Sequence, residues 1–267
     1  MIDTHVHVVS EDLVRYPLNP GHATNPWYET HPCSASELRA LMDGARVARA
    51  VLVQAVGAYQ FDNSYTLDAA AAAPGVLTSV VCTDRATSDP VATVEALVRG
   101  RGARGFRWVT FAEDARLGEP RALWLALARL GIPVVVTFLA DRLPDFAELV
   151  PRLPAIPLAV DHCGFADLRH GIPAALAALA AFPNVFLKAS THTLHSAAAA
   201  GDPADAIAEL VADFDGRVMW GSDWSQTHHA PYDAIVEEGR RAARKLSDAH
   251  RESYYAGAAL TLWPELR

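Results

Sequence analysis

Two histidines near the amino terminus are the first residues of this chain that could do chemistry. His5 and His7 lie in the stretch M-I-D-T-H-V-H-V, whose Ile and Val residues are typical of a short buried strand. Side chains two positions apart on a strand point to the same face, so we expect both imidazoles to project into one interior. Neutral imidazole binds zinc and similar ions, polarises carbonyl groups and transfers protons. The alternative is a pair of core histidines hydrogen-bonded to backbone carbonyls.

Two further candidates follow apolar runs in the second half of the chain. Asp223 comes after V-M-W-G-S and could take a proton from water or bind a metal ion. A helix N-cap or an ion pair with Lys188 would also explain it. His162 could supply a third imidazole or polarise a carbonyl, unless it is simply hydrogen-bonded to its neighbour Asp161. We predict that both residues join the first histidine pair in a catalytic site.

Two basic side chains are predicted to contact the substrate. Arg107, in G-F-R-W, could hold a carboxylate through two parallel hydrogen bonds, or could form a structural ion pair. Lys188, in F-L-K-A, could be a carboxylate clamp, a general base or a residue whose amine reaches the surface.

Polar residues in the connecting segments complete the predicted substrate-binding set. Tyr59, Asn63 and Tyr65 follow the second apolar run and could hydrogen-bond a polar ligand. Helix capping by Asp62 or Asn63, with the tyrosines packed, is the alternative. His192 is predicted to lie on a loop over the same rim as a substrate contact. The other histidines predicted on such loops, with their roles left open, are His195, His228 and His229.

The elements that must position these residues are short apolar runs separated by segments with helical spacing. Most runs are continuous, as expected for parallel strands covered on both faces. Eight strand-then-helix units predict an α/β fold, a (β/α)8 TIM barrel with one domain over residues 1–267. A doubly wound sheet is the alternative, but no G-x-G-x-x-G follows the first run. The predicted strands are Ile2–Val8, Ala48–Val56, Val76–Asp84, Ala103–Thr110, Ile132–Leu139, Ile156–Gly164, Val185–Ser190 and Val218–Trp224. The predicted helices are Ala35–Gly44, Asn63–Ala73, Pro90–Arg99, Arg121–Leu130, Leu143–Leu149, Ile172–Phe182, Pro203–Phe214 and Tyr232–Lys245.

The positions of the candidates within these runs agree with a barrel active site. In such a barrel the site lies at the carboxyl ends of the strands. The histidine pair, Arg107, His162 and Asp223 all fall late in their runs. Buried ionisable groups need partners or a ligand, so several of them at one rim are hard to explain as packing.

Composition limits the classes of function. The chain has 267 residues, 51% of them hydrophobic, and a formal net charge of −8 without a basic run. This argues against nucleic acid and anionic membranes as partners but allows a small anionic substrate. Three widely spaced cysteines indicate neither a disulfide framework nor a cysteine zinc site. We see no signal peptide or membrane-spanning run, so we expect a soluble cytoplasmic protein. A homo-oligomer is compatible with the sequence, which leaves the oligomeric state open.

Seven motifs, in the same order along the chain, resemble the amidohydrolase superfamily. The resemblance is strongest to its amidohydrolase 2 branch, which includes 2-pyrone-4,6-dicarboxylate lactonases and sugar-lactone hydrolases. The motifs are D-T-H-V-H from residue 3, R-Y-P-L from 15, D-N-S-Y from 62, G-F-R from 105, D-H-C-G from 161, F-P-N-V-F-L-K from 182 and M-W-G-S-D-W from 219.

The resemblance implies a hydrolase that opens a carboxylate-bearing lactone. Asp223 would activate water, and His162 with His5 and His7 would polarise the ester carbonyl or hold a divalent ion. Arg107 would orient an acidic group of the substrate.

The sequence departs from the metal-dependent pattern of the superfamily at the fifth run. Thr137 stands where a ligating histidine is often found, and no lysine suited to carboxylation is evident at the fourth run. A two-metal centre is therefore not expected. The ligands left for one zinc or manganese ion are His5, His7, His162 and Asp223. A metal-free site, as in some relatives of this branch, remains an alternative.

Two other functions compete with lactone hydrolysis. One is a metal-dependent decarboxylase or hydratase, similar to the aminocarboxymuconate-semialdehyde decarboxylase group. The other is a non-catalytic barrel that binds a small acid. A lactone panel, an assay with aromatic acids and a metal analysis would separate the three.

Overall fold

Eight parallel strands form a nearly closed barrel with helices between them, which confirms the predicted (β/α)8 fold. The computed structural model describes residues 1–20, 25–110, 117–153 and 155–267. Each strand pairs with the next one along the chain, in the order β1 to β8. The strands are β1 Ile2–Val6, β2 Arg49–Val53, β3 Leu77–Val81, β4 Gly105–Thr110, β5 Val134–Phe138, β6 Leu158–Val160, β7 Val185–Ala189 and β8 Val218–Trp220.

Backbone hydrogen bonds at the carboxyl ends of β1 and β8 bring the two outer strands together. The Asp223 amide donates to the His5 carbonyl over 2.8 Å, and the His7 amide donates to the Trp224 carbonyl over 2.5 Å. Gly221 allows this approach, because a Cβ there would lie 2.9 Å from the Cβ of His5. The seam therefore holds the first and last predicted catalytic segments side by side.

Helices cover the outside of the barrel between successive strands. Among the described residues, we find no helix with the length and hydropathy needed to span a bilayer. The α-helices are α1 Trp27–Thr30, α2 Ala35–Gly44, α3 Val56–Tyr59, α4 Ser64–Ala71, α5 Pro90–Glu95, α6 Arg121–Leu130, α7 Leu143–Leu149, α8 Ala174–Ala178, α9 Thr191–Ala198, α10 Pro203–Asp213, α11 Tyr232–Ala242, α12 Asp248–Glu252 and α13 Ala258–Leu262.

The predicted strands are longer than the observed ones, most clearly at β6 and β8. β6 ends at Val160 because His162 and Cys163 have φ values of 55° and 51°, which a strand cannot accommodate. β8 likewise ends before Asp223, whose φ is 64°. Non-glycine residues in this left-handed region are uncommon and cluster at functional sites. The left-handed backbone turns these polar side chains out of the strand direction and into the barrel mouth.

The predicted loop positions of His192 and His195 are wrong, because both residues lie on helix α9. Ser190 starts this helix with a capping box in which Thr193 is the reciprocal partner. His228 and His229 do lie on the loop that follows β8, as predicted.

The carboxyl-terminal segment fills the amino-terminal end of the barrel. Apolar side chains that point into the barrel pack against Trp263 and its neighbours in one buried cluster. The Lys188 amine lies 5.5 Å from the centre of the Trp263 ring. Lys188 therefore lies deep in the barrel rather than at its surface.

An ion-pair cluster outside the barrel joins the segment after β1 to helix α4 and to the residues before β4. Asp68 accepts hydrogen bonds from Tyr16 over 2.6 Å, from Arg15 over 2.8 Å and from Arg101 over 2.9 Å. The Tyr16 hydrogen bond, with the two arginines, lowers the pKa of Asp68 below its ordinary value of 3.8.

We expect Asp68→Asn to lower the thermal unfolding midpoint at neutral pH. Because the pKa of Asp68 is depressed in the folded protein, its contribution is present above pH 3.8 and is lost as the pH falls through the folded pKa. The difference between variant and wild type should therefore shrink in acid, as measured by scanning calorimetry. Asp43→Asn, an exposed position, is the control. A difference that persists unchanged in acid would contradict the prediction.

Candidate active site and metal centre

The Asp223 carboxylate lies at the centre of four imidazoles at the barrel mouth. Its Oδ1 is 3.5 Å from Nε2 of both His5 and His7 and 4.0 Å from Nε2 of His162. Its Oδ2 lies 3.2 Å from Nε2 of His192. Asp223, His5, His7 and His162 are buried. The structure thus brings together the four residues that the sequence indicates for catalysis.

In His5, His7 and His162, the ring nitrogen Nδ1 points away from Asp223 and is fixed by a hydrogen bond. Nδ1 of His7 lies 2.8 Å from the Val53 carbonyl, and Nδ1 of His5 lies 3.0 Å from Asp161 Oδ1. A carbonyl and an ionised carboxylate only accept hydrogen bonds, so we assign the proton of each ring to Nδ1. Nε2 of both rings then carries a lone pair that faces Asp223. Nδ1 of His162 lies 2.7 Å from the Ser190 hydroxyl.

Electrostatics favour an ionised aspartate surrounded by neutral imidazoles. Burial would raise the pKa of Asp223, but its interactions with His162 and His192 outweigh burial and hold this pKa well below the ordinary value. Burial lowers the pKa of His162 to about 4, although Asp223 and Asp161 oppose this shift. Burial also holds the pKa of His5 well below its ordinary value. A carboxylate that is ionised and imidazoles that are neutral are the forms that bind divalent cations.

The donor atoms at this point fit a bound divalent cation. Nε2 of His5, Nε2 of His7 and Oδ1 of Asp223 are buried and have no hydrogen-bond partner among the described residues. Because all three are acceptors, they cannot satisfy one another, and a cation or proton between them would. His5, His162 and Asp223 form a group whose ligand atoms lie within 4.8 Å of one another. Two imidazole nitrogens and one carboxylate oxygen suit zinc, and manganese is compatible.

A second buried carboxylate, Asp161, organises the polar groups below this cluster. It accepts a hydrogen bond from Thr137 over 2.6 Å and lies 3.2 Å from the Lys188 amine. Arg107 Nε lies 3.6 Å away. Burial would raise the pKa of Asp161, but His5 and Lys188 hold it well below the ordinary value. Asp161 therefore positions His5 through Nδ1 and is the shared counterion of Lys188 and Arg107.

Residues 2–264 match the model of the Amidohydrolase family. The chain belongs to the amidohydrolase family. This confirms the resemblance seen in the sequence motifs. A 2-pyrone-4,6-dicarboxylate hydrolase from Comamonas testosteroni is 27% identical over 290 residues, which cover 99% of this chain and 90% of that protein.

Solved structures share the fold of this amidohydrolase over its full length. A candidate 2-pyrone-4,6-dicarboxylic acid hydrolase from Pseudomonas putida has a TM-score of 0.78 at 24% identity, covering 99% of this chain and 97% of that chain. An amidohydrolase from Burkholderia multivorans, with bound zinc, has a TM-score of 0.73 at 24% identity, covering 98% of both chains.

Three predicted substrate contacts of this amidohydrolase use their polar groups in structural hydrogen bonds. The Tyr59 hydroxyl accepts from the Ser10 amide, and the Tyr65 hydroxyl accepts from the Ala35 amide. The Asn63 side chain exchanges two hydrogen bonds of 2.8 Å with the backbone of Cys82. Their part in substrate binding stays a prediction, but these bonds explain the three residues without a ligand.

The other predicted substrate contacts lie closer to the central cluster. His192 reaches Asp223, and its side chain is 44% exposed, so this ring is partly open to solvent. Arg107 donates from Nε to Thr137 and from Nη1 to the Gln54 carbonyl. Lys188 lies deeper in the barrel, where its amine is 3.2 Å from the Asp161 carboxylate.

Sequence reasoning missed Thr227 and misjudged Asp161. The Thr227 hydroxyl donates to Asp223 Oδ2 over 2.6 Å from an irregular loop, where no periodic pattern marks it. Asp161 was considered only as a partner of His162, yet it contacts His5, 156 residues away. The D-H-C-G motif identified the segment but not the partner.

We expect the purified protein to bind one divalent ion at the mouth through these donors. His7→Gln should therefore lower the content of bound zinc or manganese by one equivalent, measured by elemental analysis after reconstitution. His31→Gln, which changes an exposed histidine, should retain the wild-type content. Equal metal content in His7→Gln and wild type would contradict a metal centre built on this histidine.

Proposed function

We propose that this amidohydrolase hydrolyses a lactone that carries one or more carboxylates. The observation that carries the proposal is the convergence of Asp223 Oδ1 with Nε2 of His5, His7 and His162. The similarity to the 2-pyrone-4,6-dicarboxylate hydrolase of Comamonas testosteroni supports this substrate class. Zinc or manganese is the proposed metal.

Asp223 has the charge and surroundings of a general base. Its ionised carboxylate takes a proton from water while the water oxygen attacks the lactone carbonyl carbon. The ring C–O bond then breaks, the leaving oxygen takes a proton, and the product is an open-chain acid. His192 and Thr227 hold Oδ2, so they orient the carboxylate and leave Oδ1 facing the other imidazoles.

The opposite half of the reaction requires stabilisation of negative charge on the carbonyl oxygen. Nε2 of His5 and of His7 presents a lone pair at the mouth, so these histidines, with His162 beside them, would act on that oxygen through a bound cation. When bound by these histidines and Asp223, a divalent ion would supply Lewis-acid polarisation of the carbonyl.

Arg107 is the proposed recognition residue for a substrate carboxylate. The side chain is almost buried, at 6% exposure, and among the described residues its partners occupy Nε and Nη1. Nη2 of the planar guanidinium then provides a directed donor for an anionic group at the mouth. A neutral lactone of the same size should be hydrolysed more slowly than its carboxylated counterpart.

A lactone panel tests the proposal directly. The panel should contain 2-pyrone-4,6-dicarboxylate, sugar lactones and neutral lactones, with ring opening followed by absorbance and by base uptake. Hydrolysis of a carboxylated lactone supports the proposal. Release of carbon dioxide from aromatic acids without ring opening would replace it with a decarboxylase. Saturable binding without turnover would indicate a binding protein.

A further inference from the structure

A second group of potential metal ligands lies outside the barrel mouth. It consists of His195 on helix α9, His229 on the loop after β8, and Glu238 on helix α11. Nε2 of His195 lies 3.7 Å from Glu238 Oε2, and Nε2 of His229 lies 3.2 Å from Glu238 Oε1. The two imidazole rings meet edge to face, with their centres 4.6 Å apart. Three donor side chains from three separate elements thus converge at one point.

Among the described residues, one of the two carboxylate oxygens of Glu238 lacks a hydrogen-bond partner, while the other, Oε1, is hydrogen-bonded to His229. Glu238 Oε2 is buried and makes no hydrogen bond within the described part of the chain. A buried carboxylate oxygen without a donor is costly, so a cation at this position would stabilise it. Nearby Arg244 does not fill this role, because it pairs with Asp202.

The spacing and chemistry of the donors suit a transition-metal ion. All three ligand atoms lie within 4.8 Å of one another. Two ligands on one zinc ion, each bound at about 2.1 Å, are roughly 3.4 Å apart, so small side-chain rotations would complete the site. Two nitrogens and one carboxylate favour zinc, cobalt or nickel over magnesium or calcium, which prefer oxygen. His195 is 54% exposed and His229 is 33% exposed, so water can occupy the remaining position.

We propose that His195, His229 and Glu238 form a second binding site for a divalent transition-metal ion such as zinc, separate from the barrel mouth. An ion here would join α9, the loop after β8 and α11. Two of these elements also hold the central carboxylate: α9 carries His192, three residues before His195, and the loop carries Thr227, two residues before His229. Binding at the outer site would therefore restrict both segments that contact Asp223.

The proposal is tested by zinc titration of chelator-treated and dialysed protein, using calorimetry and elemental analysis. Wild type is compared with Glu238→Gln and His195→Ala, which change the outer group, and with His7→Gln, which changes the mouth. His170→Ala, another exposed histidine, is the matched control. We expect Glu238→Gln and His195→Ala to lose one equivalent, or to bind it at least about tenfold more weakly. His7→Gln and His170→Ala should keep this outer equivalent.

Hydrogen exchange supplies a second measurement that does not depend on activity. Zinc should slow amide exchange in residues 191–198 and 225–231 of wild type and of His7→Gln, but not of Glu238→Gln. Circular dichroism checks that each variant is folded. Equal zinc content and equal protection in Glu238→Gln and wild type would overturn the proposal, as would an identical loss in His170→Ala. A loss confined to His7→Gln would show that zinc binds at the mouth alone.

Discussion

Asp223→Asn should lower lactone hydrolysis at least about a hundredfold while the protein stays folded. The amide cannot take a proton from water, and it removes the negative charge that faces His5, His7 and His162. It keeps the shape of the side chain, so the contact with Thr227 can persist. Steady-state kinetics on the preferred lactone, with the circular dichroism spectrum and unfolding midpoint, measure both parts of the result.

The control for this substitution is Asp213→Asn, which removes an exposed carboxylate at the end of α10. It should leave kcat and KM unchanged, since surface substitutions of this kind have small effects. Turnover by Asp223→Asn close to that of wild type would remove Asp223 as the base. It would leave the fold and the family assignment unaffected.

Asp161→Ala should have the largest effect on stability, a loss of about 3–5 kcal/mol in the free energy of unfolding. Asp161 and Lys188 are fully buried, with the amine 3.2 Å from the carboxylate. Without Asp161, the charges of Lys188 and Arg107 lack their buried counterion, and His5 loses the group that holds Nδ1. Breaking a buried pair is costly because the remaining charge stays desolvated.

A second substitution separates this charge effect from simple loss of packing. Adding Lys188→Met to Asp161→Ala removes the more deeply buried of the two unpaired charges. The double variant should therefore regain part of the lost stability, as measured by urea unfolding. Asp167→Ala, at an exposed aspartate paired with Arg169, should leave the free energy of unfolding close to that of wild type. If the double variant is no more stable than Asp161→Ala, cavity formation and not the charge explains the loss.

The barrel could be predicted because its signal is local. Buried parallel strands are continuous apolar runs, and each of the eight runs contains one of the observed strands. The pair His5 and His7 could also be predicted, since residues two apart on an extended chain point the same way, although β1 itself ends at Val6 and His7 lies just beyond it. Strand ends were less predictable. At β6 and β8 the strand stops where His162 and Asp223 adopt positive φ, and no run of residue types marks this change.

The pairing of polar side chains could not be predicted. His192 and His195 were placed on a loop because the histidines obscure the helical pattern, whereas the Ser190 capping box starts a helix there. From the sequence, an ion pair between Asp223 and Lys188 and a hydrogen bond between His162 and Asp161 were the alternatives. In the structure Asp161 instead lies beside Lys188 and His5, and His162 bonds to Ser190. Each of these pairings depends on which side chains the strand register brings to the same level along the barrel axis.

The sequence by itself determined the family, the barrel and the set of ionisable residues near the ends of its strands, because periodicity and motif order are properties of the chain alone. Tertiary structure alone decided which of these residues meet. Closure of the barrel brings Asp223 to His5 across more than two hundred residues, and it leaves lone pairs of two imidazoles facing one carboxylate. It also assembles His195, His229 and Glu238 from three separate elements. Such contacts depend on strand register and helix packing, which are set by the whole core and not by neighbouring residues.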